Sequence, residues 1–87
     1  MNKRKQILLG NLVKRMRKNR GLSQQELAKL IHTSPTNISR CERGESEIGW
    51  QMYLQLKSFF DFDDEDIELE QKIIEDKLLR QLQGVRK

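Results

Sequence analysis

Apolar residues recur every three or four positions near the start of the chain, which is the spacing of one face of an α-helix. Leu8, Leu12 and Met16 form the first such stripe, within a helix predicted from about Gln6 to Asn19. Gly21 follows this stretch, and a glycine just past the last periodic residue commonly ends a helix because it adopts a positive φ without strain. The pattern therefore predicts one amphipathic helix that ends in a glycine turn.

A second helix is predicted directly after this turn. The segment from Ser23 to Glu26 has the spacing of a capping box, in which each side chain accepts from the backbone amide of the other residue. Leu27, Leu30 and Ile31 then give a short apolar stripe. We expect the helix to end near Ile31, because the next start signal follows almost at once.

The third predicted helix runs from Pro35 to about Arg43, with Gly44 as its terminator. Ser34 is a natural N-cap, and proline suits the first helical position, where its missing N–H is not needed. Two short helices joined by a turn of about three or four residues form the helix-turn-helix pattern. The sequence therefore predicts this motif over its central part.

Two further helices are predicted in the second half of the chain. One carries the apolar and aromatic residues from Trp50 to Phe60, all of which we expect in the core. Seven of the ten residues from Asp61 to Glu70 are acidic, and Asp63 or Asp64 is expected to cap a last helix. The apolar stripe of that helix consists of Ile67, Ile74, Leu78 and Leu82.

The predicted fold is all-α: a compact bundle of four to five helices, with a central helix-turn-helix and an extra C-terminal helix. We assign residues 1–62 to the helix-turn-helix domain and residues 63–87 to a C-terminal helix that serves dimerisation or partner binding. The stripe Ile67, Ile74, Leu78 and Leu82 is the candidate dimer contact. Packing of the same stripe against its own chain is the alternative.

Charge separates the two parts of the chain and indicates a partner. The net charge is +4 over 87 residues, with 12 Lys/Arg and 4 Asp/Glu in residues 1–60 against 5 and 9 in residues 61–87. A body of +8 followed by a segment of −4 suggests a polyanionic partner for the body, and a basic face that is simply solvated is the alternative.

Other function classes find little support in the residue types. The chain has one His and one Cys, and no cluster of either has the spacing of a zinc site. No glycine-rich loop is present to bind phosphates, so we expect no enzyme, no cofactor and no metal. A lone cysteine fits a reducing compartment, and no apolar run is long enough to cross a membrane, so a cytoplasmic location is expected.

The geometry of the third helix suggests how it reads DNA, because only one face of a helix reaches base edges in the major groove. Ile38 and Cys41 lie three residues apart and are expected to face the core. The outward face then carries the candidate base-reading residues, Thr36, Asn37 and Arg40. Helix N-termini favour phosphate, so Ser34, at the start of this helix, is a candidate for the DNA backbone.

Two segments carry a resemblance to a known family. The strings GLSQQELA (residues 21–28) and SPTNISRCERGE (residues 34–45) are similar to the phage λ-repressor/Cro type of helix-turn-helix protein, often called the Xre family. The resemblance covers roughly residues 7–62. It implies that Gln24 binds a phosphate, that Arg43 approaches the sugar–phosphate backbone, and that Arg17 and Glu42 form a structural salt bridge.

Two positions depart from the family pattern. His32 stands where the family usually has glycine, in a turn that tends to need positive φ, so we interpret it as a strained turn residue. Pro35 replaces a frequent polar base-reading residue, so the first turn of the helix either reads DNA by apolar contact or reads less of it.

The leading hypothesis is a sequence-specific transcriptional regulator of double-stranded DNA, acting as a repressor and binding a palindrome as a two-fold dimer. Two alternatives stay open. In the first, the chain is the antitoxin of a toxin–antitoxin pair, with its C-terminal segment bound to a toxin protein. In the second, it is the control protein of a restriction system.

Overall fold

Five helices follow one another along the chain in the computed structural model, which describes residues 2–45 and 47–85. They are α1 (Lys3–Asn19), α2 (Gln24–Leu30), α3 (Pro35–Glu42), α4 (Trp50–Phe60) and α5 (Asp64–Val85). The described residues contain no strand. The predicted all-α bundle with a central helix-turn-helix and an additional C-terminal helix is confirmed.

Local capping signals set most of the helix starts. Ser23 and Glu26 form the predicted capping box, with amide-to-side-chain distances of 3.0 and 2.9 Å. At the start of α5, Asp63 and Asp66 accept reciprocally from each other's amides, both at 3.0 Å. The sequence prediction missed the start of α1, which begins at Lys3 because the Asn2 side chain caps it.

Left-handed residues end the helices and turn the chain. Gly21 adopts φ 68° after α1, and His32 adopts φ 59° in the turn between α2 and α3, as predicted for both. Asp61 ends α4 at φ 56°. That turn was not predicted, although Asp is one of the few residues besides Gly that tolerate this conformation.

The core lies where α1 crosses the helix-turn-helix and the last two helices. It is built from these buried residues: Leu8, Leu9, Leu12, Val13, Leu27, Ala28, Ile31, Ile38, Cys41, Tyr53, Leu56, Phe60, Phe62 and Ile67. Because Ile67 belongs to this core, the first turns of α5 complete a body that the sequence assigned to residues 1–62. Residues 86 and 87 of the assigned segment 63–87 lie outside the described residues.

Two core predictions for α4 are wrong. Trp50 is 73% exposed and Leu54 is 45% exposed. Trp50 is the first residue of α4, and its ring stacks on Tyr53 with centroids 5.8 Å apart. The sequence placed the whole segment in the core, because seven of the eleven residues from Trp50 to Phe60 are apolar or aromatic.

Two contacts hold the outer helices against α1. A Cβ on Gly10 would lie 2.1 Å from the carbonyl oxygen of Cys41, so only glycine lets α1 approach α3 this closely. On the other side, the buried carboxylate of Glu70 accepts from Asn11 Nδ2 at 2.9 Å and from Arg15 Nη2 at 2.7 Å. The first contact fixes α3 on α1, and the second fixes α5.

The last turns of α5 extend beyond the body. The molecule measures 47 × 26 × 22 Å along its principal axes, and every residue from 75 to 83 is exposed. Over the described part of the chain, no helix is both long enough and apolar enough to cross a membrane.

Candidate nucleic-acid interface

Helix α3 presents one apolar and one polar face. Ile38 and Cys41 are buried, as predicted, in the same cluster as Leu27 and Ile31. The opposite face leaves Thr36, Asn37 and Arg40 exposed. The three candidate base-reading residues are therefore brought together on one accessible surface, whose orientation is fixed by the core.

The N-terminus of α3 is ordered by its own side chains. The Ser34 hydroxyl accepts from the amide of Asn37 at 3.1 Å, and Pro35 occupies the first turn. The Asn37 side chain donates from Nδ2 to the Thr33 hydroxyl oxygen at 2.9 Å. One donor of the Asn37 amide is thus engaged, while its other N–H and its carbonyl oxygen remain for a ligand.

A buried ionic network joins three helices behind this surface. Arg17 donates to Glu42 from Nε at 2.6 Å and from Nη2 at 3.1 Å, which makes the pair bidentate. The third guanidinium nitrogen of Arg17 donates to the carbonyl of Leu22 at 2.7 Å. Gln24 also donates to Glu42, from Nε2 at 3.0 Å. The network connects α1, the start of α2 and the end of α3, so it sets the spacing of the two helices of the motif.

The two arginines at the end of α3 differ in their partners. Arg43, the C-cap residue, forms an ion pair with Glu45, with Nε 2.8 Å from Oε2, and both side chains are more than half exposed. Within residues 2–45 and 47–85, the Arg40 guanidinium has no side-chain partner.

Basic residues on α1 divide into two groups. Lys14 and Lys18 are exposed. Arg15 is bound to Glu70, which raises the pKa of its guanidinium through the hydrogen bond. Arg20 lies 4.9 Å from the ring centre of Phe59. The first two cations remain available for a polyanion, whereas the two arginines stabilise the packing of the C-terminal half.

The candidate dimer stripe on α5 is split by the structure. Ile67 is 1% exposed and lies in its own core, so it cannot contact a second copy, and Ile74 is partly buried against that core. Leu78 and Leu82 are exposed, and Leu79, which sequence reasoning did not include, is exposed beside them. The stripe follows one helix face, but only its first half reaches the body.

The thiol of the single cysteine, Cys41, has low reactivity. Burial raises the pKa of the Cys41 thiol to about 12, with a smaller contribution from the nearby Glu42 carboxylate. A thiol at that pKa is not a nucleophile near neutral pH. Among the described residues, no group of three metal-ligating side chains lies close enough to hold an ion.

Two short helices at a fixed turn, with the second apolar inside and polar outside, define a helix-turn-helix protein. The chain belongs to the helix-turn-helix domain family, since the model of that domain matches residues 8–69. The family assignment made from residues 21–45 is thereby confirmed.

Solved structures have the same fold. The restriction-modification controller protein C.AhdI from Aeromonas hydrophila matches with a TM-score of 0.62 and 24% identity, over 71% of this chain and 94% of that one. The clp gene regulator ClgR from Corynebacterium glutamicum matches with a TM-score of 0.67 and 22% identity, over 93% of both chains. No curated protein matches the chain significantly.

Proposed function

We propose that this protein is a sequence-specific regulator of transcription that inserts α3 into the major groove of double-stranded DNA, acting in the cytoplasm by binding rather than by catalysis. The observation that carries the proposal is the exposed polar face of α3. Its Thr36, Asn37 and Arg40 project together from a helix whose other face is locked by Ile38 and Cys41. A pre-ordered helix loses little conformational entropy when it enters a groove.

Each exposed side chain suits a particular base edge. Arg40, which has no partner among the described residues, can donate two hydrogen bonds to guanine N7 and O6. Asn37 can pair with adenine through its carbonyl oxygen and its unengaged N–H, while Thr36 can meet a thymine methyl group or a phosphate. Each bidentate pair contributes about 1–3 kcal/mol of discrimination against the wrong base.

Backbone contacts come from groups that are already positioned. The Ser34 hydroxyl accepts from Asn37, so its own O–H proton is left to donate to a phosphate oxygen. Gln24 is held by Glu42 through one N–H of its side-chain amide, which leaves the second N–H for a phosphate. Arg43 adds a cation at the other end of α3.

The extension of α5 supports a two-fold dimer. Leu78, Leu79 and Leu82 are each more than half exposed, on a segment in which every residue from 75 to 83 is exposed. The helix starts with Asp and Glu and carries Lys77 and Arg80 in the extension, so two antiparallel copies would set unlike charges side by side. A dimer of this kind fits a palindrome with half-sites about 34 Å apart. Repression requires only that the bound dimer cover its site.

The exposed leucines are also compatible with a second candidate function, that of an antitoxin. A toxin protein would cover the same residues, and the purified chain would then be monomeric. The control protein of a restriction system remains a third candidate, since C.AhdI is a restriction-modification controller protein with this fold.

Selection of bound duplexes from a random pool tests the DNA-binding proposal. We expect Arg40→Ala to lose affinity for the selected sequence but little for random duplexes, and Gln24→Ala to lose similar affinity for both. Circular dichroism checks that each variant is folded. If Arg40→Ala lost equal affinity for every sequence, its base-reading role would be wrong. If no duplex were enriched from the pool, the proposed function itself would be wrong.

Light scattering tests the dimer. The matched pair is Leu78→Lys on the extension and Leu69→Lys, an equally exposed leucine on another face of the same helix. We expect a dimer mass for the wild-type chain and for Leu69→Lys, and a monomer mass for Leu78→Lys. A monomeric wild-type chain at micromolar concentration would contradict the dimer and favour the antitoxin candidate.

A further inference from the structure

The end of α3 carries two exposed cations in different electrostatic states. Arg40 has no side-chain partner in the part of the chain that the structure describes, whereas Arg43 is 2.8 Å from the carboxylate of Glu45. Both arginines lie on the side of the motif proposed to face DNA. The charge of the candidate base-reading residue Arg40 is thus not balanced by a neighbouring carboxylate among the described residues, whereas the charge of Arg43 is balanced by Glu45.

Glu45, whose carboxylate lies beside Arg43, belongs to a hydrogen-bonded turn at the end of α3. The amide of Gly44 donates to the carbonyl of Cys41 at 3.0 Å, and the amide of Glu45 donates to the carbonyl of Arg40 at 3.1 Å. These two bonds, with Gly44 at φ 65°, form a Schellman motif at the end of α3. A Cβ on Gly44 would come within 2.9 Å of Ile7 Cγ1, so the turn is also seated against α1. The backbone position of Glu45 is therefore fixed relative to α3.

We propose that Glu45 lowers the affinity of the protein for DNA phosphates by competing with them for the guanidinium of Arg43. This inference rests on the proposed DNA-binding function. A carboxylate and a phosphate present the same kind of charged acceptor to an arginine, so the two compete for the same guanidinium. When a phosphate displaces Glu45, the carboxylate stays close to it and repels it.

The expected consequence is weaker binding to every sequence. Phosphates are present in all DNA, and their contacts supply most of the sequence-independent affinity. Glu45 therefore reduces binding to cognate and random duplexes by the same factor. The Arg40 contact with base edges is left at full strength, so the ratio of cognate to random affinity stays the same.

The size of the effect follows from the exposure of the pair. Because both side chains are more than half exposed, water and salt screen their attraction. We expect Glu45→Gln to tighten binding roughly two- to fivefold, the range that exposed ion pairs allow. The slope of log K against log salt concentration should steepen by up to about 0.9, the value for one additional phosphate contact.

A double-mutant cycle tests the inference on the full chain. The proteins are wild type, Glu45→Gln, Arg43→Gln and the double variant, each titrated with the selected duplex and with a random-sequence duplex over a salt series. Asp61→Asn is the charge-matched control, because it removes one exposed carboxylate from the α4–α5 turn, and asparagine tolerates the left-handed φ there.

The expected result is a gain for Glu45→Gln that is equal on both duplexes, absent from the double variant relative to Arg43→Gln, and not reproduced by Asp61→Asn. Three results overturn the inference while DNA binding by the wild type stands. They are no gain, a gain that persists without Arg43, and an equal gain in Asp61→Asn. Absence of binding by all variants, wild type included, would instead overturn the proposed function and this inference together.

Discussion

The close approach of α1 to α3 depends on the missing side chain of Gly10. An added Cβ would lie 2.1 Å from the carbonyl oxygen of Cys41 and 3.0 Å from that of Glu42. Both atoms belong to the backbone of α3, so no change of rotamer can relieve the overlap. Gly10→Ala must therefore push the two helices apart or shift α3 relative to the rest of the motif.

Two opposing effects decide the sign of the change in stability. Replacing glycine by alanine in a helix interior favours folding by about 0.5–1 kcal/mol. Overpacking in a dense core costs about 1–3 kcal/mol and more where the neighbour is rigid backbone. We therefore expect Gly10→Ala to lower the free energy of unfolding by about 2 kcal/mol. For a domain of this size, that loss lowers Tm by roughly 8–16 °C.

Urea unfolding followed by far-ultraviolet circular dichroism measures the difference. Gly49→Ala is the matched control, because a Cβ there meets nothing within 4 Å. Gly49 is the N-cap of α4, where alanine is less favourable than glycine, so we expect the control to lose no more than about 1 kcal/mol. If Gly10→Ala proved as stable as wild type or more so, helix propensity would outweigh the contact, and the account of α1–α3 packing would be wrong.

Four further predictions concern buried or capped groups. Glu70→Gln should cost about 1–2 kcal/mol, because the amide keeps the bond from Asn11 but loses the ion pair; urea unfolding measures this. Cys41 should resist alkylation at pH 8 in the folded protein and react once urea unfolds it; fast modification without denaturant would contradict its burial. Folding raises the pKa of the Cys41 thiol from 9.0 to about 12. The stability that comes from the neutral thiol is therefore complete below pH 9 and is lost as the pH rises toward 12. Urea titrations at increasing pH would show this decline. Ser23→Ala should cost about 1 kcal/mol by removing the cap of α2, and an unchanged urea midpoint would show that the capping box contributes nothing.

Short-range signals allowed most helix limits to be predicted. The capping box at Ser23, the serine–proline start at Ser34 and the left-handed turn at His32 each depend on residues within one turn of the chain. Such interactions leave a direct pattern in the sequence. The start of α3 and its inward residues could be placed for this reason.

The features that were missed depend on contacts between distant segments. Gly10 gives no local sign that another backbone passes beside it, and Glu70 looks like one more member of a solvated acidic run. Only the packing of α5 on α1 buries that carboxylate among its donors. Trp50 was placed in the core because an apolar side chain at a helix start gives no indication of which face is covered.

The residues of the candidate interface could be predicted from the sequence, but the hydrogen bonds and ion pairs that hold them could not. The exposure of Thr36, Asn37 and Arg40 follows from the helical period. The bond from Gln24 to Glu42 and the pairing of Arg43 with Glu45 follow from side-chain geometry that spacing alone does not define.

The insertion of α3 into DNA can be followed through the amide chemical shifts of the labelled protein while it is titrated with a selected duplex. We expect saturable changes concentrated at Thr36, Asn37 and Arg40 and at the start of α2, with α5 responding little. Changes concentrated on α5, or none that saturate, would contradict the insertion of α3 into the DNA groove.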